Sequence, residues 1–324
     1  MKIISTLGPS TINKKFLNFA SREIDLIRLN MSHLSINKLE RNIKFIKKNC
    51  TTPICIDTEG AQIRTKVKKI KNYKNGSIIN IGEKKGNFIL YPSNVFKSLK
   101  INDILNIGFD GLLIKINKCY KKRLKAKVIR SGKLENNKGV HLENRKLKLN
   151  FLTEKDFQAI KIGKKYSIKN FALSFTSSVH DIKKFNELLK IENKIFKIET
   201  KNAVKNFNKI IKYGNNFLID RGDLSKEISI ENIPVAQRVL FKIKKKFKNK
   251  NIYVATNLLE SMILNNLPTR GEANDIFNSL EMGADGLVLA AETAIGKNPI
   301  DCVNFLKKIL NTYKLSKLKL ITKK

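Results

Sequence analysis

The sequence FKIET at 196–200, followed by IDRGDL at 219–224, contains two short apolar runs that each end in charged residues. Because side chains alternate between the two faces of a strand, Lys197 and Glu199 point to the same side. Asp223 follows the second run directly after a glycine, which permits a tight turn into the amides of a helix. The pattern predicts two neighbouring strands that place a cation and two carboxylates at the same end of a sheet.

The same arrangement of a short apolar run ending in polar residues recurs along the chain. Candidate strands lie at 2–7, 24–31, 53–57, 171–176, 194–198, 216–220, 251–256 and 284–290. Segments with helical spacing lie at 35–48, 154–165, 180–190, 201–213, 234–248, 272–281 and 299–314. Eight strands that alternate with helices predict an α/β fold, a (β/α)8 or TIM barrel.

The third unit of this pattern is interrupted by an insertion. Over 65–137 the helical spacing gives way to β-like runs separated by Gly and Asn turns. These runs lie at 77–81, 87–90, 104–107, 112–116 and 124–129. We therefore predict a small all-β domain at 65–137, inserted after strand three of a barrel formed by 1–64 and 138–315. The last nine residues, 316–324, are predicted to be a basic tail.

The chain is strongly basic, with 65 Lys+Arg against 27 Asp+Glu in 324 residues and a formal charge of +38. Such a charge favours polyanions, because Lys and Arg release counterions when they neutralise phosphates. About 55 of these residues are Lys, however, and Lys, Asn and Ile together make up about 42% of the chain. These three residue types share AT-rich codons, so codon bias is the other explanation. We expect no specific nucleic-acid partner.

Several functional classes lack their sequence signatures. No run of 18 apolar residues occurs, so we predict no membrane partner. Four cysteines lie without C-x-x-C spacing, which indicates neither a zinc site nor a disulfide framework and favours a cytoplasmic location. No Gly-x-x-x-x-Gly-Lys-[Ser/Thr] motif occurs, which excludes a P-loop as the route to a nucleotide.

Polar residues end seven of the predicted strands. They are Asn30 with Ser32, Asp57 with Thr58, Ser174, Lys197 with Glu199, Asp223, Thr256, and Glu292. A single residue of this kind is usually a cap or a loop-stabilising group. Barrel enzymes, however, build their sites from the carboxyl ends of several strands at once. The recurrence therefore predicts an active site on this rim.

Five stretches carry a resemblance to a known family. They are 2–10 (KIISTLGPS), 26–33 (LIRLNMSH), 55–65 (CIDTEGAQIRT), the pair FKIET and IDRGDL, and 255–272 (ATNLLESMILNNLPTRGE) followed by 289–296 (LAAETAIG). In this order they resemble the pyruvate kinase family. The resemblance implies a glycolytic phosphotransferase that makes pyruvate and ATP from phosphoenolpyruvate and ADP. The inserted domain resembles the family's mobile lid, and we expect the family's C-terminal domain to be absent.

The resemblance also assigns roles to residues of the rim. Glu199 and Asp223 match the family's Mg2+ ligands, and two carboxylates are a typical protein contribution to that ion. Lys197 would stabilise the transferring phosphoryl group, because such transfer depends on positioning and charge neutralisation. The remaining assignments are Arg28 to the phosphate, the backbone of Gly222 and Asp223 to the substrate carboxylate, and Thr256 to the proton that reaches the enolate.

A second ion and the nucleotide are implied in the same way. The family's K+ ligands match Asn30, Ser32, Asp57 and the carbonyl of Thr58, which are the oxygen donors that a hard cation requires. Arg64 and Lys138, together with Asn30, match positions that approach the nucleotide.

The sequence departs from the family pattern at several positions. Glu59 replaces a usual Lys and Gln62 a usual Glu, which bears on nucleotide affinity and K+ dependence. Phe109 replaces the first Asp of the lid's usual Asp-Asp-Gly. Asn257, Ala290 and Asp220 stand where the family has Gln, Ser and Ala.

Three alternatives to an active pyruvate kinase remain open from the sequence. One is a degenerate barrel of this family that binds nucleotide weakly. Another is a non-enzymatic protein that binds polyanions on an inherited barrel. The third is a metal-dependent aldolase, which also needs two carboxylates but has no reason to keep Lys197 and the K+ ligands. We expect a monomer or a homodimer formed between barrels.

Overall fold

The computed structural model describes residues 1–108, 111–145, 147 and 149–321, with the side chains of 318–321 left out. The chain divides into two compact units. The first contains Met1–Gly60 and Glu154–Lys324, and the second contains Ala61–Thr153.

The strands and helices are numbered in chain order. The strands are β1 Lys2–Thr6, β2 Leu26–Asn30, β3 Ile54–Asp57, β4 Ile63–Lys66, β5 Lys71–Tyr73, β6 Ile78–Gly82, β7 Phe88–Tyr91, β8 Ile104–Ile107, β9 Leu112–Tyr120, β10 Arg123–Arg130, β11 Gly132–Leu134, β12 Gly139–Leu142, β13 Asn170–Leu173, β14 Asn193–Ile198, β15 Asn216–Asp220, β16 Asn251–Ala255 and β17 Gly286–Leu289. The α-helices are α1 Lys14–Glu23, α2 Ile36–Asn49, α3 Glu154–Lys165, α4 Val179–Leu188, α5 Lys201–Ile210, α6 Arg221–Ile228, α7 Ile233–Lys244, α8 Arg270–Met282, α9 Ala291–Ala294 and α10 Pro299–Ile321.

The first unit is a closed barrel of eight parallel strands, in the order β1, β2, β3, β13, β14, β15, β16, β17 and back to β1. All eight strands predicted from the sequence are present, and the α/β barrel prediction is confirmed. The predicted helices are also present, whereas α1, α6 and α9 were not located in advance. Helix α1 has a recognisable start, because the Asn13 side chain accepts a hydrogen bond from the amide of Phe16.

The interior of this barrel is layered. A buried apolar layer consists of Ile4, Leu26, Cys55, Ala172, Ile195, Leu218, Tyr253, Ala255 and Val288. Two residues further along six of these strands, the buried side chains are polar: Thr6, Arg28, Asp57, Ser174, Lys197 and Asp220. Since alternate residues of a strand point the same way, the same periodicity that fills the core delivers these groups to the carboxyl end of the barrel.

The second unit is built from β4 to β12. Seven of its strands form a closed sheet in the order β10, β6, β7, β4, β12, β8, β9, and β5 pairs with β11. Its core is apolar and includes Ile79, Phe88, Leu105 and Ile114, each at most 1% exposed.

The boundaries of this unit differ from the predicted 65–137. It spans Ala61–Thr153, because β4 and β12 pair with each other and place Ile63 and Val140 in its own core. The flanking segments 61–64 and 138–153 therefore belong to the β unit and not to the barrel. That this unit acts as a mobile lid stays a prediction, and Phe109 lies outside the described residues.

The carboxyl end of the chain also differs from the prediction. Helix α10 continues to Ile321, so most of the predicted tail at 316–324 is helical, and 322–324 lie outside the described residues. Within the part of the chain that the structure describes, we find no helix that is both long and apolar enough to cross a membrane.

Candidate active site at the carboxyl ends of the barrel strands

Lys197 lies at the centre of a buried group of charges. Its Nζ is 2.8 Å from Glu199 Oε1, 3.2 Å from Asp57 Oδ2 and 3.3 Å from Asp220 Oδ2. It also donates to Ser174 Oγ at 3.1 Å, and the residue is only 3% exposed. A single lysine thus neutralises charge on three carboxylates that come from three different strands or strand ends.

Arg28 on β2 is the second cation of this group. Its Nε donates to Asp57 Oδ2 at 2.7 Å, and its Nη2 lies 2.6 Å from the same oxygen. Its Nη1 donates to Thr6 Oγ1 at 3.1 Å, and its Nη2 is 3.9 Å from Asp220. We call Arg28, Asp57, Lys197, Glu199 and Asp220 the rim cluster.

The rim cluster shifts the pKa of its own members. Burial lowers the pKa of Lys197, but Asp57, Glu199 and Asp220 outweigh it and raise that pKa above the usual value, so Lys197 is a cation. Burial raises the pKa of Asp220, whereas Lys197 and Arg28 bring it below its usual value. Burial raises the pKa of Glu199 to about 8, although Lys197 opposes the shift. Glu199 is the member whose negative charge is least well compensated.

Glu199, Asp220 and Asp223 present carboxylate oxygens that all lie within 4.8 Å of one another. Glu199 Oε2 accepts from the amide of Phe175 at 2.6 Å, but its buried Oε1, although 2.8 Å from Lys197 Nζ, accepts no hydrogen bond. Asp223 at the start of α6 pairs with Lys226 at 2.6 Å. Carboxylate oxygens are the ligands that Mg2+ prefers, so this donor set fits that ion.

Thr256 closes the site at the end of β16 in a strained conformation. Thr256 and Asn257 have φ of 71° and 54°, a region that is rare for residues other than Gly and especially for a β-branched residue. Thr256 Oγ1 accepts from the Gly222 amide at 2.8 Å and donates to the Ala255 carbonyl at 2.5 Å. The hydroxyl is therefore held over the first turn of α6.

Arg221 supports this strained turn. Its Nε and Nη2 donate to the carbonyl of Thr256 at 3.1 and 2.6 Å, and Nη2 reaches the carbonyl of Asn257 at 3.3 Å. Its Nη1 pairs with Asp275 on α8 at 2.6 Å. The geometry explains how the strain persists, because the surrounding structure over-determines the backbone.

The residues predicted to bind K+ lie at the ends of β2 and β3. Asn30 and Asp57 are directly opposite in the strand register, and Asn30 Oδ1 accepts from the Ser32 amide at 3.0 Å. Thr58 Oγ1 accepts from the amide of Ser174, whose hydroxyl donates to Asp57 Oδ1 at 3.1 Å. The four residues are thus adjacent, but Asp57 is in addition the counterion of both rim-cluster cations.

Arg64 and Lys138, predicted to approach the nucleotide, are neighbours within the second unit. Arg64 stands opposite Gly139 in the register of β4 and β12 and donates to the carbonyl of Asn137 at 3.1 Å. Lys138 Nζ lies 3.1 Å from Glu135. Their role toward a nucleotide stays a prediction.

Glu292, predicted at the rim from its position after a strand, joins the segments that follow β16 and β17, and a role in the site stays a prediction. Its Oε1 accepts from the amides of Leu258 and Leu259 at 3.2 Å each, and its Oε2 from the amide of Ala290 at 2.7 Å. The carboxylate therefore holds two loops together.

Asp220 was identified from the sequence only as a departure from the family and not as a site residue. Its inward direction was predictable, because Asp220 lies two residues after the inward-facing Leu218 on the same strand. Glu59, another departure, forms an ion pair with Lys155 at 2.9 Å, and Lys155 also donates to the Met31 carbonyl. The reversed charge at 59 is thus matched locally.

The family model described as "Pyruvate kinase, barrel domain" matches residues 1–303. The pyruvate kinases of Thermotoga maritima and Methanocaldococcus jannaschii are each 33% identical over 95% of this chain, which covers 70% and 68% of their lengths. The pyruvate kinase of Buchnera aphidicola subsp. Schizaphis graminum is 34% identical over 95% of this chain, which covers 68% of the length of that protein.

Proposed function

This chain belongs to the pyruvate kinase family, and from that premise we propose that it transfers the phosphoryl group of phosphoenolpyruvate to ADP, giving pyruvate and ATP. The observation that carries the proposal is Lys197, a buried cation among three carboxylates at the rim of a parallel barrel. Phosphoryl transfer needs fixed positive charge where charge spreads over the phosphoryl oxygens.

Binding of phosphoenolpyruvate would use groups on two sides of the rim. Arg28 offers a planar guanidinium that suits a phosphate, and contacts with Asp57 and Thr6 fix the position of that guanidinium. The start of α6 offers the amide of Asp223 and the positive end of a helix dipole to the substrate carboxylate, while the Gly222 amide holds Thr256 Oγ1 beside it. These two groups would fix both ends of the substrate.

Lys197 would act during the transfer itself. Its pKa lies above the usual value, so its charge is constant, and its burial strengthens every interaction that it makes with phosphoryl oxygens. A donor held in place before the reaction needs no reorganisation as charge develops. Lys197 would therefore stabilise the transition state more than the bound substrate.

Glu199 and Asp223 would hold Mg2+, which would supply positive charge to the phosphate and carboxylate oxygens of the substrate. Asn30, Ser32, Asp57 and Thr58 supply oxygen donors that suit K+. We propose Arg64 and Lys138, with Asn30, for the nucleotide phosphates.

Thr256 would deliver the proton that turns the enolate into pyruvate. Its hydroxyl already holds one hydrogen bond from Gly222 and one to Ala255, which fix the position of Oγ1. A hydroxyl is a weak acid, so the Oγ1 proton would leave the Ala255 carbonyl and pass to the enolate carbon while Oγ1 takes a proton from a water molecule.

A coupled assay of the full chain with phosphoenolpyruvate and ADP tests the proposal. We expect pyruvate formation that needs Mg2+ and that stops with EDTA, and a higher rate in K+ than in Na+. The matched control replaces ADP by AMP, which lacks the acceptor phosphate. No pyruvate at millimolar substrates with both ions present would contradict the proposed reaction, and equal rates in Na+ and K+ would contradict the K+ site alone.

A further inference from the structure

Asp220 has no role in the reaction as described so far, yet it lies inside the site. It is 4% exposed, at the last position of β15, and one of its carboxylate oxygens lies within 4.8 Å of one oxygen of Glu199 and one of Asp223. An aspartate at the start of a helix is usually a cap, but the Asp220 side chain makes no capping hydrogen bond to α6. Its carboxylate is directed to the interior of the site instead.

The charges around this space do not balance when every carboxylate is ionised. The cations are Arg28 and Lys197, and the carboxylates are Asp57, Glu199, Asp220 and Asp223, the last with Lys226 beside it. With all four carboxylates ionised, they outnumber the three cations, Lys226 included, by one; a proton on Glu199, whose pKa burial raises to about 8, balances the charge when no further cation is bound. A buried excess charge is unfavourable unless something compensates it. A divalent cation among the carboxylates would do so.

The distances also suit a shared ion. Oxygen ligands about 2.1 Å from one octahedral Mg2+ lie roughly 3 to 4.2 Å from each other. The three carboxylates meet within 4.8 Å, so small side-chain rotations would bring one oxygen of each to a common ion. The closest contacts of Asp220 with Lys197, at 3.3 Å, and with Arg28, at 3.9 Å, are both made by Oδ2.

We propose that Asp220 is a third carboxylate ligand of the divalent cation, in addition to Glu199 and Asp223. The inference rests on the proposed function only for the identity of the ion. A third carboxylate would bind the cation more tightly before substrate arrives, since charge count is a main determinant of affinity at such sites. It would also draw negative charge away from Lys197 when the metal is bound.

Binding of Mn2+ to the full chain, without phosphoenolpyruvate or ADP, tests this. Electron paramagnetic resonance gives the affinity, and water-proton relaxation gives the number of water molecules on the bound ion. We expect Asp220→Ala to weaken Mn2+ binding at least about 10-fold and to add one bound water. Asp220→Asn keeps an oxygen donor and should fall between wild type and Asp220→Ala.

Asp57→Asn is the matched control, because it removes a charge near Lys197 from outside the three-carboxylate set. It should leave the number of bound waters unchanged. If Asp220→Ala binds Mn2+ more weakly but the bound ion gains no water, the proposal is overturned, because Asp220 would then act on the ion only through its charge. Wild-type protein that binds no Mn2+, or equal affinities in wild type and both Asp220 variants, would also overturn it.

Thermal unfolding of each variant shows whether weaker Mn2+ binding reflects the loss of a metal ligand or the loss of the folded structure. If Asp220→Ala does not fold, the comparison of Asp220→Asn with wild type decides the question. The outcome is independent of turnover. A protein that binds Mn2+ through three carboxylates but forms no pyruvate would contradict the proposed function and leave this inference intact.

Discussion

The two closed sheets of this chain differ in how their buried charged side chains are paired. In the parallel barrel, the rim cluster brings two cations and three carboxylates together at the strand ends. In the second unit the core is apolar, and Asp103, a buried acid among its described residues, is joined to one arginine, Arg145, at 2.7 Å. Asp103 also accepts from the amide of Lys100 at 2.7 Å.

The difference separates charge used for architecture from charge held for chemistry. Asp103 and Arg145 satisfy each other and nearby backbone groups, including the carbonyl of Ser98. The rim cluster instead leaves Glu199 Oε1 without a hydrogen bond and carries more acids than bases. The comparison therefore makes predictions that differ between the two units.

The largest effect is expected at Lys197. Lys197→Met should lower kcat about 100-fold or more, since lost electrostatic stabilisation of a transition state typically has that size. Steady-state kinetics at saturating substrates measure it. Lys194→Met on the same strand is the control, because Lys194 contacts the carbonyl of Leu189 and not the rim cluster. Retention of more than about a tenth of kcat in Lys197→Met would remove Lys197 from the mechanism.

A smaller effect is expected from the acid at the start of α6. Asp223→Asn should raise the Mg2+ concentration for half-maximal activity about 10-fold or more, because it removes the charge of one metal ligand. Titration of activity with Mg2+ gives the value. Asp301→Asn, an exposed acid in the first turn of α10, should leave the titration unchanged. An unshifted curve for Asp223→Asn would place the metal elsewhere.

Arg221 should have an intermediate influence, because it acts through Thr256. Arg221→Lys keeps the charge but loses the fork that holds two carbonyls, so we expect kcat to fall about 10-fold while KM for phosphoenolpyruvate changes little. A rise in KM with unchanged kcat would show that Arg221 serves substrate binding and not the strained turn.

The smallest effect on activity is expected from the second unit, where Asp103→Asn should leave kcat unchanged. Burial raises the pKa of Asp103, but the hydrogen bonds from Arg145 and the Lys100 amide outweigh burial and bring that pKa below its usual value. The stabilisation is therefore present above the unfolded-state pKa of about 4 and is lost as the pH falls through the lower folded-state pKa. Asp103→Asn should therefore weaken hydrogen-exchange protection in β8 and β9 at pH 7, by about 1–2 kcal/mol.

In wild type, the same strands should lose protection on acidification from pH 5 to 3, and the variant should lose less. Hydrogen exchange with mass spectrometry of the full chain resolves those strands from the barrel. Equal acid sensitivity in the two proteins would show that the Asp103–Arg145 pair does not stabilise this unit.

The repeated strand–helix pattern was sufficient to predict the barrel, and alternation along β14 was sufficient to place Lys197 and Glu199 on one side. The limits of the inserted unit were not predictable in this way. Strands β4 and β12 are four residues each and are defined by pairing with each other. Such long-range pairing cannot be detected from the local periodicity of apolar residues. The contacts of Glu292 were not predictable for a similar reason, since two of its three amide partners lie more than 30 residues away in sequence.

Asp220 shows a different limit. Its inward direction followed from the strand period, but its meaning depends on three carboxylates from the ends of β14 and β15 meeting in space. Charge balance is a property of the closed barrel and not of any segment. Thr256 is comparable, because its positive φ is imposed by Arg221 and Gly222 and is contrary to its own preference.

The barrel closes where β1 meets β17, with Ser5 opposite Leu289. During synthesis at about 5–20 residues per second, the first strand waits roughly 15–60 s for its last partner to leave the ribosome. The second unit has all its pairing within Ala61–Thr153 and is complete long before then. Pulse proteolysis of stalled nascent chains would detect this order as early protection of that unit. The half-made barrel meanwhile exposes the unpaired edge of β1, a stage at which a chaperone or a neighbouring nascent chain can compete for it.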